Sequence, residues 1–550
     1  MAHETRILSI HFLHRHLYGT AGLALLIGLY LLTGLTGHEP WRGDDARYFG
    51  SVYSMLQGEG LLFPQIAGEP FVEYPPLYYW CAALLSFITQ GVLSPHEGIR
   101  LASVLFTALT VYWVAASAGR LYGQSARIPA ALLIFACLGL ILHSHETQPL
   151  LALMAMTSLV ISGITLVPER PLQGSLQAGL GCTLAILSTG ISGMLLTVPL
   201  FVLAIVASPE CRTPRASGGL LAGLTLAACA GGLWPLLLHL QQPELFALWR
   251  QRQWQHVAGH GFSFNEVIRL AKLLSWFLWP LWPLAFWALW HERKRLFHLR
   301  WLLPILSVII TLIFLIFSAD PSQATLLPLL PPMALLAAGG LPTLRRGAAN
   351  AFDWFSAMTF GILAILVWIA WTSLMLSWPP GFARYVARIA PAFALDNAWL
   401  RTFAGILICV LWFCLAWRLP RRPERGAANW AMGVTMLWCL AVTLLLPWFD
   451  HSRSYRDMIS ALNKALVPYA GECVTGNKLP DPVRSMLDYY AKLRTVPASS
   501  DTASCRLLLT YTDYRTENAA DTSGWELIGE WGRGGGKQLE TLRLFIRPDQ

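Results

Sequence analysis

Charge is what this sequence lacks. Only 13% of its 550 residues are Asp, Glu, Lys or Arg, against about 25% in a soluble globular domain. With 55% apolar residues, 24 Trp and a mean hydropathy of +0.49, that scarcity excludes a water-soluble enzyme and indicates a polytopic α-helical membrane protein. No small-residue cleavage site follows the first apolar span, so residues 17–37 are read as an anchor rather than a cleaved signal. Internal repeats, low-complexity tracts and inverted-repeat signals are missing too. The net charge of +9 does not imply a nucleic-acid partner, because the Lys and Arg residues sit in short loops between spans, where they set orientation. Eight of the ten cysteines lie in or beside apolar spans and behave as small hydrophobes.

A run of about 20 apolar residues crosses a bilayer. The pattern predicts thirteen spans, near 17–37, 99–119, 127–144, 149–167, 174–189, 192–207, 218–239, 273–290, 301–318, 323–342, 354–378, 399–418 and 427–447. The basic loops then share one face, the cytoplasmic one by the positive-inside rule. Residues 77–93 would reverse that order if they spanned, so they are expected to lie flat in the interface as an amphipathic aromatic segment.

The opposite face carries the informative loops. The first, residues 38–98, holds the acidic pair Asp44-Asp45 within Trp41-Arg42-Gly43-Asp44-Asp45-Ala46-Arg47-Tyr48, and later Phe71-Val72-Glu73-Tyr74-Pro75-Pro76-Leu77-Tyr78-Tyr79-Trp80. Two adjacent carboxylates at the lip of a membrane helix need water, a cation or a substrate to stay charged. Other outward loops are the turn His143–Pro149, Ser188-Thr189-Gly190, residues 240–272, Ser318–Gln323 and 379–398. Two domains are expected: residues 1–447 in the membrane, including loops 38–98 and 240–272, and a polar tail, 448–550. The tail reads as a small periplasmic α/β domain, with a helix over Tyr455–Leu466 and strands over Cys505–Thr512, Trp525–Trp531 and Thr541–Ile546. Cys473 and Cys505 lie there, in an oxidising compartment, and a disulfide between them is expected.

The residues Asp44-Asp45-Ala46-Arg47-Tyr48, then Pro64 and Gly68, Glu73-Tyr74-Pro75-Pro76-Leu77-Tyr78-Tyr79-Trp80 and Arg100-Leu101-Ala102-Ser103 resemble a known pattern. It is the first outer loop of the lipid A aminoarabinose transferases (ArnT), relatives of the protein O-mannosyltransferases within the GT-C fold. Trp276–Pro280 and Thr325–Pro332 echo it further. The resemblance implies a glycosyltransferase of the bacterial inner membrane. Such an enzyme takes a sugar from a polyprenyl phosphate on the outer face and passes it to lipid A, a protein or an envelope glycan. It needs no nucleotide and no other cofactor, and a divalent metal is left open without support. Asp44 takes the position of the acid/base residue, and Arg47, Tyr48 and Glu73 align with positions that shape the donor and acceptor site. The chain departs from the pattern where Tyr74 replaces the Lys before Pro-Pro, where Gln323 stands in for a basic residue, and where Thr189 replaces the Lys before Gly190.

Sugar transfer from a lipid phosphate needs a base for a hydroxyl acceptor, donors or a cation for the leaving phosphate, and shielding from water. Asp44 is the natural base. Arginine forks suit phosphate, and Arg42, Arg47, Arg250 and Arg252, with Arg269 and Lys272 behind them, form the pool. The substrate-binding candidates are Asp45, Arg47, Tyr48, Glu73, Tyr74, His145, Glu146, Arg250, Arg252 and Gln323. Each has a plainer alternative. Asp44-Asp45 could cap a helix starting near Ala46. Tyr78, Tyr79 and Trp80 could form an interfacial belt or stack on a sugar. His143, His145 and Glu146 could ligate a metal or only cap a helix end. His256 and His260 stand at i, i+4 with no third ligand. Gly190 and Gly193 suit close helix packing. A transporter or flippase of lipid-linked sugars, the competing reading, would carry ionisable groups inside its spans, which are almost free of them here. An assembly factor whose tail binds a partner is a third reading.

Overall fold

The computed structural model describes residues 20–257, 263–319, 322–390, 393, 398–419, 422–497, 505–513, 522, 524–533 and 540–547. Among the described residues, seven helices are long and apolar enough to cross a membrane: Pro95–Tyr122, Pro214–Gln241, Leu299–Phe317, Ala324–Thr343, Arg346–Leu376, Ala398–Arg418 and Arg425–Arg453. Two bent pairs raise the number to as many as nine. Within the described residues the expected span near 17–37 is helical over Thr20–Leu32, and those near 149–167 and 192–207 are helices of 17 residues each. At 1.5 Å per residue, 17 residues reach about 26 Å, short of the roughly 30 Å hydrocarbon core.

The bent pairs correct two straight-span expectations. Phe264–Phe277 and Leu281–His291 meet at 98°, inside the span expected at 273–290, and Gln124–Phe135 and Leu138–His145 meet at 57°. Pro280 brings no N–H to the first break. The two breaks lie against each other and share their freed backbone groups. Leu138 N donates to Trp279 O at 3.2 Å, Cys137 Sγ to Phe277 O at 2.8 Å, and Trp430 Nε1 to Ala136 O at 2.8 Å. Irregular backbone inside an apolar bundle persists only when it is paired in this way.

Two short helices build loop 38–98. Asp44–Leu56 places both carboxylates in its first turn, where they favour the positive end of the helix. Leu77–Ile88 is only 12 residues long. Tyr78 and Tyr79 are wholly buried in the core, so they form neither an interfacial belt nor a sugar platform; Trp80 alone of the three is exposed. The next helix, Pro95–Tyr122, opens on a capping box in which Ser94 N donates to Glu97 Oε2 at 3.0 Å.

The last long helix, Arg425–Arg453, runs six residues past 447, so the step into the tail falls at Ser454. After the short antiparallel pair β1 (Gln65–Ile66) and β2 (Glu69–Pro70) in loop 38–98, the tail forms a mixed five-stranded sheet of β3 (Val474–Asn477), β4 (Val496–Pro497), β5 (Leu507–Asp513), β6 (Glu526–Arg533) and β7 (Glu540–Ile546), in the order β4-β3-β5-β7-β6. β3 pairs parallel with β4 and β5, and β7 pairs antiparallel with β5 and β6. Cys473 and Cys505, just ahead of the neighbours β3 and β5, are joined with a Cα–Cα distance of 5.2 Å. The tail helix Asp481–Ala491 lies directly on Asp44–Leu56. A Cβ at Gly50 would overlap Ser485 Oγ, so only glycine allows this approach.

Candidate active site

The adjacent acids Asp44 and Asp45 have opposite surroundings. Asp45 is 1% exposed. Its Oδ2 accepts from Trp41 N at 2.9 Å and Arg100 Nη2 at 3.0 Å, and its Oδ1 from Thr147 N at 2.7 Å. Burial works against its charge, but Arg100, His38 and these backbone donors outweigh it and hold the carboxyl below the usual range. Arg100, also 1% exposed, donates further to His38 O and Glu39 O at 2.9 and 2.8 Å. Asp45 is therefore the buried anchor of the loop, not the substrate ligand expected from sequence.

Asp44 faces open space. One contact steadies it: Gln148 Nε2 donates to Asp44 Oδ2 at 3.4 Å. Gln148 is itself fixed, since its Oε1 accepts from Leu150 N at 3.3 Å and its N donates to Tyr78 Oη at 3.1 Å. Asp44 is accessible yet walled by protein, and that surrounding mass raises its pKa; Arg47 and Gln148 oppose the rise and Asp45 adds to it. Capping does not explain the residue, because neither acid is the helix N-cap, which is Gly43.

Arg47, Tyr48 and Glu73 come together beside it. Arg47 Nη2 meets Glu73 Oε2 at 2.8 Å, and Tyr48 Oη donates to Glu73 Oε1 at 3.3 Å. The Arg47 guanidinium lies 5.1 Å from the Phe71 ring centre. Burial raises the Glu73 carboxyl; Arg47 opposes this, Asp44 reinforces it, and the Tyr48 hydrogen bond opposes it. Tyr74 is buried with its ring 5.9 Å from Tyr48. Burial, with Glu73 and Asp44 nearby, raises its phenol, so it is a neutral side chain where the resembling pattern has a cation. Gln253, buried on the helix Pro243–Val257, donates from Nε2 to Glu73 O at 2.8 Å and accepts from Ile191 N at 3.0 Å. Gly190 permits this: at φ +66° it carries no Cβ, which would lie 2.8 Å from Gln253 Oε1.

Glu146 stands near the acidic pair. Burial pushes its carboxyl up to about 8, Asp45 and Asp44 add to the rise, and Arg453 and Arg100 oppose it. His143 Nδ1 is 3.9 Å from Glu146 Oε2. Among the described residues, no three His, Cys, Asp or Glu side chains gather as a metal set, and His260 lies outside those residues.

Four expected binding residues lie elsewhere. His145 is buried, with Nδ1 2.6 Å from Ile141 O, Nε2 2.7 Å from Tyr30 O and its ring 4.3 Å from Trp438; it fastens helices together and does not reach a substrate. Arg250 and Arg252 are exposed, each three positions along the helix from one of the inward-facing pair Gln253 and Trp249, and among the described residues no hydrogen bond or ion pair ties either to the Asp44 loop. Gln323 is exposed, and among the described residues no contact ties it to Asp44. The sequence reading quoted Arg100 within the motif without giving it a role, and gave none to Gln148 or Gln253. Arg100 had a signal, a lone cation among the apolar residues Ile99, Leu101 and Ala102; the two glutamines had none.

With this geometry in view, residues 73–233 match the family described as dolichyl-phosphate-mannose-protein mannosyltransferase. The chain is similar to the undecaprenyl phosphate-alpha-4-amino-4-deoxy-L-arabinose arabinosyl transferase of Pseudomonas aeruginosa, 29% identical over 242 residues, 42% of each chain. A counterpart from Pseudomonas fluorescens is 26% identical over 251 residues, 43% of this chain and 42% of that protein. The chain thus matches less than half the length of these curated relatives. In shape it follows ArnT from Cupriavidus metallidurans bound to undecaprenyl phosphate, with a TM-score of 0.68 at 16% identity, covering 95% of this chain and 97% of that one. The apo form of that protein gives 0.67 at 15% identity, covering 95% and 98%. In fold, the chain follows ArnT, a bundle of apolar helices with a small mixed-sheet domain at its carboxyl end.

Proposed function

We propose that this protein is a glycosyltransferase that moves a sugar from a polyprenyl-phosphate donor to an acceptor at the outer face of the bacterial inner membrane. The observation that carries the reading is the contrast at Asp44 and Asp45. One carboxylate is spent on structure, while its neighbour stays accessible with a raised pKa beside Arg47, Tyr48 and Glu73. A base poised in that way suits a hydroxyl acceptor. Asp44 takes the acceptor proton, and the acceptor oxygen bonds to the anomeric carbon. The C–O bond to phosphate breaks, and its electron pair leaves with the polyprenyl phosphate. Arg47 and the Tyr48 hydroxyl line the path of that charge. The undecaprenyl phosphate named in the Cupriavidus structure, the lipid such a transfer releases, and the names of the Pseudomonas relatives support the lipid phosphate. The acceptor class is lipid A, a secreted protein or an envelope glycan, with the tail on the periplasmic side. No nucleotide or other cofactor enters this scheme.

The test is a transfer assay on the purified full chain with a panel of polyprenyl-phosphate sugars and envelope extract as acceptor. Release of polyprenyl phosphate from one donor supports the reading and names the sugar. Silence from every donor, with extract present, contradicts it.

A further inference from the structure

Arg453 ends the last long helix and comes to rest against the Asp44 loop. Its carbonyl accepts from Arg42 N at 3.3 Å and from Arg533 Nη1 at 2.9 Å. Its guanidinium is held by aromatic faces, 5.4 Å from the Trp41 ring centre and 5.8 Å from that of Phe449. Trp41 is fixed in turn, since its Nε1 donates to Asp450 Oδ1 at 3.1 Å.

The charges around Arg453 do not balance. Arg42 and Arg533 both reach Glu540, at 3.5 and 2.6 Å. Arg453 makes no ion pair and no side-chain hydrogen bond among the described residues. The charges that act on it are Glu146 in attraction and Arg42 and Arg533 in repulsion. Glu146 is a poor counter-ion, because its carboxyl, pushed up to about 8, is largely protonated at neutral pH. Stacking on rings orients a guanidinium without using its N–H donors. A pre-oriented fork with free donors, three residues past Asp450 and across from Arg42, matches a phosphate's paired oxygens. The position that would otherwise bring a cation to this loop is Tyr74, which is neutral.

We propose that Arg453 is a phosphate-binding residue of this site, engaging the phosphate of the lipid-linked donor or a phosphate on the acceptor. The inference rests on the lipid-phosphate glycosyltransferase reading.

The experiment measures undecaprenyl phosphate binding to the purified full chain by intrinsic Trp fluorescence, for wild type, Arg453→Gln and Arg453→Lys. Thermal unfolding serves as the check that each variant folds. If the donor phosphate is the ligand, Gln weakens binding about 10- to 100-fold and Lys restores part of it. A second arm compares lipid A with its dephosphorylated form, both in vesicles. If the acceptor phosphate is the ligand, donor binding is unchanged and the preference for phosphorylated lipid A is lost in Arg453→Gln. No change in either arm overturns the proposal while leaving the glycosyltransferase reading intact. Failure of the wild type to bind undecaprenyl phosphate instead contradicts the reading beneath it, and the proposal with it.

Discussion

Arg47 joins the two domains of the chain. Its Nη2 meets Glu73 Oε2 at 2.8 Å within the membrane loop, and its Nε meets Asp481 Oδ2 at 3.2 Å on the first turn of a tail helix. The tail is thus part of the site's frame. Arg484 reaches Glu69 at 2.8 Å and Arg494 reaches Glu59 at 2.9 Å along the same seam. Asp481 acts on the site through Arg47. Both side chains are about a third exposed, so solvent screens the pair and its contribution is modest, about 0.2–1 kcal/mol. Asp481→Asn should raise the donor KM about 2- to 5-fold with kcat and melting temperature nearly unchanged. An equal fall in kcat and stability would mean that Asp481 matters only for folding.

Asp45 and Arg100 bury opposite charges, with four backbone groups bonded to the pair. Removing one partner leaves the other charge uncompensated, which costs about 3–5 kcal/mol. Asp45→Asn and Arg100→Met should each lower the thermal midpoint sharply and lose activity through folding. Wild-type stability in both would contradict the anchor role.

Glu146 makes a pH signature. An ordinary glutamate carboxyl titrates near 4.5, and here burial moves it to about 8. Between those values the folded chain holds a proton that the unfolded chain has lost. Its contribution to stability therefore falls as pH rises through that window and levels off above 8. Glu146→Gln should flatten that slope and leave the protein more stable than wild type at pH 9. Parallel curves for the two proteins would refute the shift.

Arg250 and Arg252 are exposed and make no hydrogen bond or ion pair to the loop among the described residues, so Arg250→Ala and Arg252→Ala should leave donor KM within about twofold of wild type. A tenfold rise from either would return their helix to the phosphate path.

Much of this was legible in sequence, for physical reasons. Apolar runs marked the helices, and the alternation near Cys505, Trp525 and Thr541 marked β5, β6 and β7. The motif at Asp44 through Trp80 marked the loop. Strand β3 and the helix Asp481–Ala491 were missed, because four residues are too few to show a period and the helix is strongly polar. The bend at Pro280 was missed because hydropathy is blind to direction. Asp45 could not be told from Asp44 by neighbours in sequence. The difference comes from Arg100 and Thr147, 55 and 102 residues away.

The most direct measurement compares Asp44→Asn with wild type for undecaprenyl-phosphate binding and for single-turnover sugar transfer on the same preparation. Asn keeps the shape and the exposed position, and removes the base. We predict binding within about twofold and transfer slower by about 10²–10⁴-fold. Wild-type transfer rates in Asp44→Asn would contradict the account.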